Sequence, residues 1–259
     1  MTLDEWYRKD RLPHIYCPGC GNGTVLNCII NAVDELDLDQ NTTTFVSGIG
    51  CSSRSAGYTS CDSLHTTHGR AIPFATGIKL AKPKNTVIVI TGDGDLSAIG
   101  GNHFIHACRR NIDITVICMN NSIYGMTGGQ CSPCTPNGSI TTTTPYGSTE
   151  IPFDLCSIAE SASANYVSRW TTYHVKQLVR SIKTGICTPG FAFIEVLSQC
   201  PTSFGNKNKM KLATQMIDMF HRNAVLKQRV ERDGIQLSDG QFVIGEFTKR
   251  NNPVWGCKP

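Results

Sequence analysis

Hydrophobic residues follow two patterns along this chain, one typical of buried strands and one typical of helices. Residues 86–91 and 112–119 are continuous apolar runs, as in parallel strands that are covered on both faces. The segment between them, residues 97–110, is predicted as a helix, which completes a βαβ unit. Helical and strand-like segments continue to alternate toward the C-terminus. The fold class is therefore predicted as α/β with a doubly wound, mostly parallel sheet.

The remaining elements come from the same patterns and from the Gly and Pro residues that interrupt them. A loop rich in Gly, Pro and Thr is predicted over residues 120–149, and a tail is predicted after residue 232. We divide the chain into a cofactor-binding domain, residues 1–205, and a C-terminal helix and tail that docks a subunit, residues 206–259. The further helices are predicted over 23–38, 71–80, 152–164, 174–183 and 211–232, and the further strands over 43–47, 166–170 and 191–197.

Composition and charge restrict the class of protein. Of the 259 residues, 40% are hydrophobic and 17% are charged, which is typical of a globular chain. No apolar run approaches the length of a membrane-spanning helix, and the first ten residues contain no apolar signal core, so we expect a cytoplasmic protein without membrane contact. The net charge of +4 comes from residues 206–259, which contain 10 Lys and Arg but only 5 Asp and Glu. This excess indicates a solvated face or a dock for an acidic partner rather than nucleic acid, because no aromatic-interleaved basic stripe is present.

The 13 cysteines are the strongest compositional signal. Their number is odd and no secretion signal precedes them, so a disulfide framework is disfavoured. Free thiols in a reducing interior are expected, some as metal ligands and most as small core residues.

Gly92-Asp93-Gly94 directly follows the predicted strand 86–91, and Asn120-Asn121 ends the next strand. Ligands of parallel sheets bind outside the carboxyl ends of the strands, where glycines let backbone amides approach phosphate oxygens. An acid there would repel a diphosphate unless a cation lay between them. Asp93, Asn121 and the carbonyl of Ile123 offer the oxygen ligands that Mg²⁺ prefers.

A Gly-Asp-Gly sequence alone would be explained equally well by a turn. Its place at a strand end, with Asn-Asn closing the following strand, resembles the thiamine diphosphate motif. The chain contains no GxxxxGK[ST] sequence, which argues against a P-loop nucleotidase, and no full GxGxxG follows a strand.

Cys17-Pro18-Gly19-Cys20 brings two thiols to one site. From the spacing alone this could be a zinc site, a redox dithiol or half of an iron–sulfur site. Cys51 and Cys200 each follow a predicted strand and could supply two more ligands. The rival second pair is Cys131-x-x-Cys134 in the long loop, which would favour zinc.

Six motifs in a fixed order resemble one family closely. They are Cys17-Pro-Gly-Cys20-Gly, Ser47-Gly-Ile-Gly-Cys51-Ser, His65-Thr-Thr-His68-Gly-Arg70-Ala, Gly92-Asp-Gly-Asp95, Asn120-Asn121-x-x-Tyr124-Gly125-x-Thr127-Gly-Gly-Gln130 and Cys200-Pro201-Thr202. Together they resemble the β subunit of the 2-oxoacid:ferredoxin oxidoreductases, especially the 2-oxoglutarate branch, over most of residues 7–206. The resemblance implies a thiamine diphosphate-binding fold with an N-terminal cluster-binding segment and a helical C-terminal extension.

The resemblance also implies the cofactors thiamine diphosphate, Mg²⁺ and one [4Fe–4S] cluster. The metal ligands would be Cys17, Cys20, Cys51 and Cys200 for the cluster, and Asp93, Asn121 and Ile123 for Mg²⁺. Thiamine diphosphate would be bound by Ile49, Gly50, Cys51, Ser52, His68, Gly92, Gly94, Asp95, Gly125, Met126 and Thr127. Similar sequences read Ser-Pro-Thr-Thr-Pro after Gly-Gln, so Cys131 and Cys134 look like departures and lose weight as ligands.

The activity implied is oxidative decarboxylation of a 2-oxoacid, with 2-oxoglutarate favoured, to acyl-CoA and CO₂ with reduction of ferredoxin, or the reverse carboxylation. An α subunit would supply the carboxylate that activates the thiamine pyrimidine, so this chain would act only in a hetero-oligomer. The implied partners are that α subunit, ferredoxin or a ferredoxin-like subunit, coenzyme A and the 2-oxoacid.

Two side chains are predicted to act at the reaction centre. In similar proteins of the 2-oxoglutarate type a basic residue near this position looks suited to the distal carboxylate of the substrate, so the resemblance implies that role for Arg54, whose guanidinium can bind a carboxylate in a fork; the alternative is a surface Arg. His68 would contact the cofactor, or else cap the segment before Gly69. His103 and His106 could form a metal pair, but one polar helix face explains them better.

Two other functions remain open from the sequence. A non-oxidative thiamine-dependent 2-oxoacid decarboxylase subunit would share the Gly-Asp-Gly and Asn-Asn motifs and need no cluster. A zinc-stabilised binding subunit without catalysis would contain zinc and no thiamine.

Overall fold

The computed structural model describes residues 3–256, and Cys257 lies outside this range. The strands are β1 (Thr43–Ser47), β2 (Asp62–His65), β3 (Thr86–Gly92), β4 (Thr115–Asn120), β5 (Ile123–Tyr124), β6 (Gln130–Cys131), β7 (Tyr166–Thr171), β8 (Ala192–Leu197), β9 (Ala224–Leu226) and β10 (Phe242–Lys249). Eight of them form the main sheet, in the order β2-β1-β3-β4-β8-β7-β10-β9. All neighbouring strands of this sheet are parallel except β7 and β10, which run antiparallel.

Helices cover both faces of the sheet, as a doubly wound fold requires. The α-helices are α1 (Gly21–Glu35), α2 (Ala71–Ala81), α3 (Gly101–Arg110), α4 (Leu155–Ser161), α5 (Val175–Cys187), α6 (Ala213–Asn223) and α7 (Lys227–Asp233). One core lies between the sheet and α1 with α5, and a second lies between the sheet and α2, α3 and α4. Alternate residues of β3 pack in different cores: Ile88 and Ile90 pack in the first core, and Val87 and Val89 pack in the second. The continuous apolar run of this strand is explained by burial on both faces.

The predicted fold class is confirmed, and β3, α3 and β4 form the predicted βαβ unit with β3 parallel to β4. Strand β1 has the predicted bounds, and most other elements differ from prediction by a few residues at their ends. Between β3 and α3 the chain forms a π-helical turn, Asp95–Ile99, where the sequence predicted the first part of one regular helix.

Two predictions about the C-terminal segment were wrong. The helix predicted over 211–232 is split into α6 and α7 by the short strand β9, because Ala224, Val225 and Leu226 pair with β10. The predicted tail contains β10, which extends the main sheet beside β7. An apolar tripeptide between two helical runs has no local signal that separates strand from helix, so the pairing partner decides.

Three other strands were not predicted. Strand β2 is a polar edge strand, partly exposed along its length, and its residues carry no apolar alternation. The predicted loop 120–149 contains the hairpin of β5 and β6. Within residues 3–256, no helix combines the length and the apolar character that crossing a membrane requires.

Candidate active site

The carboxyl ends of β1, β3 and β4 meet at one edge of the sheet and border a cavity whose empty space, with the open solvent at its mouth included, is about 620 Å³. Every residue predicted to bind thiamine diphosphate or Mg²⁺ lines this cavity, at positions 49–52, 68, 92–95, 121, 123 and 125–127. Met119 and Tyr124 complete the lining. Parallel strands gather residues from distant parts of the sequence in this way because their ends lie side by side.

Asp93 lies at the base of the cavity, directly after β3, and is only 2% exposed. Its carboxylate accepts a hydrogen bond of 2.5 Å from Ser132 Oγ. Burial raises the pKa of Asp93 to about 6, although the Ser132 hydroxyl and the backbone amides of Asn121 and Gly94 stabilise its ionised form. A carboxylate that is shielded from water in this way is well suited to bind a cation.

The turn after β4 places Asn121 beside Asp93. Asn120 Oδ1 accepts a hydrogen bond from Ser122 N at 3.0 Å, and Asn121 Oδ1 accepts one from Ile123 N at 3.2 Å. Ser122 adopts a positive φ of 61°, which turns the chain back toward the cavity. Both amide side chains are therefore fixed by their own backbone, a common use of Asn in turns.

Asp95 joins three separate segments around the cavity. Its carboxylate accepts hydrogen bonds from Gly69 N at 2.7 Å, Ile49 N at 3.2 Å and Thr91 Oγ1 at 2.7 Å. His68 Nδ1 also lies 2.8 Å from Asp95 Oδ1, as a charge contact without hydrogen-bond angles. The carboxylate of Asp95 is thus occupied in holding the loops after β1 and β2 against β3.

Two glycines of the cavity are required for different reasons, Gly94 by close approach and Gly50 by its positive φ. A Cβ on Gly94 would lie 2.3 Å from the ring of Tyr124, whose hydroxyl donates to Gly94 O at 3.2 Å. Gly50 has a φ of +132°, and a Cβ there would meet no atom within 4 Å. The cavity therefore keeps an open wall at Gly50, where a phosphate can approach the backbone.

Four thiols lie together at one side of the cavity: Cys17, Cys20, Cys51 and Cys200. Burial raises the pKa of Cys20 to about 12, and the other three thiols add to this effect. A Cβ on Gly125 would lie 3.7 Å from Cys51 Sγ and 3.8 Å from Cys200 Sγ. Cys51 thus belongs both to the lining of the cavity and to the group of thiols.

Hydrogen bonds around Gln199 bring the N-terminal cysteines to Cys200. Gly21 N donates to Gln199 O at 3.0 Å, and Gln199 Nε2 donates to Gly19 O at 3.2 Å. Gly19 has a φ of +76°, and a Cβ there would lie 2.7 Å from the Cβ of Ala213 in α6. The Cys17–Cys20 turn is therefore fixed between β8 and α6.

The other predicted side chains have different positions. Arg54 is exposed and lies outside the cavity lining, near enough to Cys51 and His65 to affect their pKa values. Cys134 is buried beside Asp93 and Glu195, and its thiol is not among the neighbours that raise the pKa of Cys20.

Cys131 Sγ lies 3.7 Å from Ser148 Oγ. His103 and His106 lie close to each other on α3. The pKa of His103 is lowered mainly by burial and further by the charges of Arg70 and His106.

The donor sets fit the implied groups. Asp93, Asn121 and the carbonyl of Ile123 are hard oxygen ligands beside a backbone that can approach a diphosphate. The four thiols fit an iron–sulfur cluster, in which each cysteine binds a different iron atom. Within the described residues, no three His, Cys, Asp or Glu side chains are close enough to hold one single ion.

Besides Met119, three residues were missed as parts of the site or of its support. Ser132 contacts Asp93 although its sequence context points only to the nearby thiols of Cys131 and Cys134. Tyr124 was quoted in a motif without a role. Glu195 is an acid inside the apolar strand β8, 1% exposed, and such a buried polar position is itself a recognisable signal.

Known proteins resemble this chain over most of its length. Residues 48–196 match the family described as thiamine pyrophosphate enzyme, C-terminal TPP binding domain. The chain is 57% identical over 249 residues to the 2-oxoglutarate synthase subunit KorB of Methanocaldococcus jannaschii, which covers 96% of this chain and 92% of that protein. It is 53% identical over 249 residues to the corresponding subunit of Methanothermobacter marburgensis, with 96% and 87% covered.

A solved structure has the same fold. The 2-oxoglutarate:ferredoxin oxidoreductase from Magnetococcus marinus, with 2-oxoglutarate, coenzyme A and succinyl-CoA bound, superposes with a TM-score of 0.87. The match has 31% sequence identity and covers 98% of this chain and 87% of that one.

Proposed function

Because this chain belongs to the KorB family of 2-oxoacid:ferredoxin oxidoreductase subunits, we propose that it is the thiamine-binding β subunit of such an enzyme. The complete enzyme decarboxylates 2-oxoglutarate oxidatively to an acyl-CoA and CO₂ and reduces ferredoxin, or runs the reverse carboxylation, in the cytoplasm. The observation that carries the proposal is the single cavity that brings Asp93 and Asn121 to one edge of the sheet, with Cys51 shared between the cavity and the four thiols.

Asp93, Asn121 and the Ile123 carbonyl would hold Mg²⁺ against the diphosphate, and the glycines at 50, 92 and 94 would let backbone approach it. Thiamine diphosphate, when bound, supplies a carbanion for the 2-oxo carbon and a sink for the electrons left after CO₂ departs. The residues of this chain orient the cofactor: Asp95 holds the loops at Ile49 and Gly69 in place. His68, 37% exposed beside Asp95, would contact the cofactor from the cavity wall.

Cys17, Cys20, Cys51 and Cys200 would bind the [4Fe–4S] cluster. Since Cys51 also lines the cavity, the cluster would lie against the cofactor, and electrons would have a short path to it. Cys17 is exposed, so the same cluster would approach the surface on its other side.

The partner subunits are proposed from two surfaces. Ile49 and Met126 line the cavity and are 41% and 42% exposed, which suits a site that an α subunit completes and closes. Lys207, Lys209 and Lys211 follow Cys200 closely in sequence and form no ion pair within residues 3–256. This basic segment suits an acidic electron carrier such as ferredoxin.

Arg54 is our proposal for the contact with the distal carboxylate of the substrate. It is an exposed cation beside Cys51, and it forms no ion pair among the described residues. Because it lies outside the cavity lining, substrate would meet it at the mouth of the cavity, where the α subunit joins.

The test is anaerobic purification of the complex, followed by analysis of iron, sulfide, zinc, Mg²⁺ and thiamine diphosphate. We expect one cluster and one cofactor per β subunit, and dye or ferredoxin reduction that requires both 2-oxoglutarate and coenzyme A. Release of CO₂ without coenzyme A or an electron acceptor would indicate the non-oxidative decarboxylase instead. Zinc without thiamine would indicate the binding subunit.

A further inference from the structure

A short segment outside the cavity lining supports the carboxylate of Asp93. We call residues 130–135, which begin at β6, the strap. Ser132 is 3% exposed and reaches Asp93 Oδ2 with its hydroxyl at 2.5 Å. It does not line the cavity, so it contacts Asp93 from behind rather than from the side of the ligand.

The direction of this hydrogen bond follows from the partners of the other polar atoms in the strap. Thr135 Oγ1 donates to Ser122 O at 2.6 Å, so it acts as the acceptor for Ser132 N at 2.9 Å. Ser132 Oγ accepts from Cys134 N at 3.3 Å. Thr135 Oγ1 lies 3.3 Å from Ser132 Oγ, much farther than Asp93 Oδ2 at 2.5 Å, so the proton of Ser132 is directed to Asp93.

The strap also holds the second half of the site. The carbonyl that Thr135 binds belongs to Ser122, which lies between Asn121 and Ile123. Ser132 N donates to Thr135 Oγ1. The strap therefore contacts both Asp93 and the turn after β4, and it links the two. The spacing between Asp93 and the turn after β4 is thus fixed from outside the cavity.

We propose that Ser132 is a positioning residue that sets the orientation of Asp93 for Mg²⁺, with Thr135 fixing the opposite side of the site. The inference rests on the proposed role of Asp93 as a Mg²⁺ ligand. Mg²⁺ demands near-ideal octahedral geometry, whereas Ca²⁺ tolerates irregular sites. Loss of the support therefore weakens Mg²⁺ binding more than Ca²⁺ binding, an effect that general destabilisation of the fold would not produce.

The experiment uses the anaerobically purified complex, stripped of thiamine diphosphate and divalent ions. Calorimetry measures Mg²⁺ and Ca²⁺ binding in the presence of saturating thiamine diphosphate for Ser132→Ala. The matched control is Ser148→Ala, which removes an equally buried hydroxyl of the same loop that contacts Cys131 and not Asp93. Thr135→Val is a second variant that keeps Ser132 and removes the hydroxyl that holds the Ser122 carbonyl.

We expect Ser132→Ala to weaken Mg²⁺ binding about tenfold or more, the size of a lost hydrogen bond to a charged group, and Ca²⁺ binding by clearly less. Thr135→Val should shift the Mg²⁺ to Ca²⁺ ratio in the same direction, and Ser148→Ala should leave it unchanged. Equal loss of both ions, or Mg²⁺ binding within about twofold of the parent, would overturn the proposal.

Asp93→Ala separates this inference from the function on which it rests. If Asp93→Ala abolishes Mg²⁺ binding while Ser132→Ala leaves it unchanged, only the role of Ser132 is wrong. If Asp93→Ala retains normal Mg²⁺ binding, the proposed metal site itself is wrong.

Discussion

Asn120 Nδ2 donates a hydrogen bond of 2.7 Å to Glu195 Oε1 at the centre of the sheet, where both residues are buried. The other carboxylate oxygen, Glu195 Oε2, accepts from Arg169 Nε at 2.6 Å. Arg169 Nη2 donates a second hydrogen bond, also of 2.6 Å, to Asp154 Oδ1 near the surface. Asn120, the residue before Asn121, is therefore bonded to a buried ion pair between Glu195 in β8 and Arg169 in β7.

Glu195→Ala should destabilise the chain by about 3–5 kcal/mol, because it leaves the buried Arg169 guanidinium without its main partner. Asp154→Ala is the matched control. The Asp154 side chain is half exposed and caps α4, so its loss should cost at most about 2 kcal/mol. Urea denaturation followed by circular dichroism gives both free energies of unfolding. Equal losses of unfolding free energy would show that the buried Glu195 contributes no more to stability than the half-exposed Asp154.

Replacement of Cys17, Cys20, Cys51 or Cys200 by Ala should remove the brown chromophore and ferredoxin reduction, because each thiolate binds one iron of the proposed cluster. Cys131→Ala and Cys134→Ala are the controls and should leave the cluster intact. Visible absorption and iron content after anaerobic purification report the result. Our ligand assignment fails if Cys131→Ala loses the cluster while Cys200→Ala keeps it.

Mg²⁺-dependent binding of thiamine diphosphate should weaken as the pH falls through about 6, the value to which burial raises the pKa of Asp93 in the metal-free chain. Below that pH a proton occupies the carboxylate and competes with the cation; above it the ionised group is free to bind. Calorimetry between pH 5 and pH 8 measures the effect, and a titration of Mg²⁺ with the free cofactor corrects for protonation of the diphosphate. A flat profile after this correction would speak against Asp93 as a ligand.

Arg54→Ala should weaken the use of 2-oxoglutarate far more than that of pyruvate or 2-oxobutyrate, because only the first has a distal carboxylate. Loss of one charge-assisted pair corresponds to a change in preference of about ten- to a hundredfold in kcat/KM. Arg11→Ala is the control, because it removes another exposed Arg whose guanidinium lies near Gly57, three residues after Arg54; a Cβ on Gly57 would lie 3.6 Å from Arg11 Nη1. An equal loss for all three acids would mean that Arg54 serves the fold or the cofactor.

Substitution of Lys207, Lys209 and Lys211 together by Gln should raise the KM for ferredoxin at low ionic strength and leave reduction of an uncharged dye unchanged. Charged groups at the rim of a docking surface act mainly on association, and salt screens them. The difference from the parent enzyme should therefore shrink as salt is added. A salt-independent effect, or an equal effect with the dye, would contradict docking at this segment.

The sequence by itself determined the fold class and the placement of Asp93 and Asn121 at one edge of the sheet. Apolar runs such as β3 can only be buried on both faces, which requires a parallel sheet with helices on either side. Once β3 and β4 are neighbours, Asp93 and Asn121 must lie at the same edge, because the ends of parallel strands coincide. The other predicted binding residues of the cavity came from the resemblance to the 2-oxoacid:ferredoxin oxidoreductase β subunits, and Met119 and Tyr124 were not assigned to it. The roles of all these residues in binding remain predictions.

Only the tertiary structure decided the elements and contacts that depend on distant partners. Ala224–Leu226 is a strand because β10 lies beside it, and β2 is a strand although its sequence is polar. The contact of Ser132 with Asp93 joins residues 39 positions apart through a loop whose path no local pattern reveals. Periodicity encodes which face of an element is buried, whereas such loop contacts depend on how the chain closes on itself, and that is settled only when the core has formed.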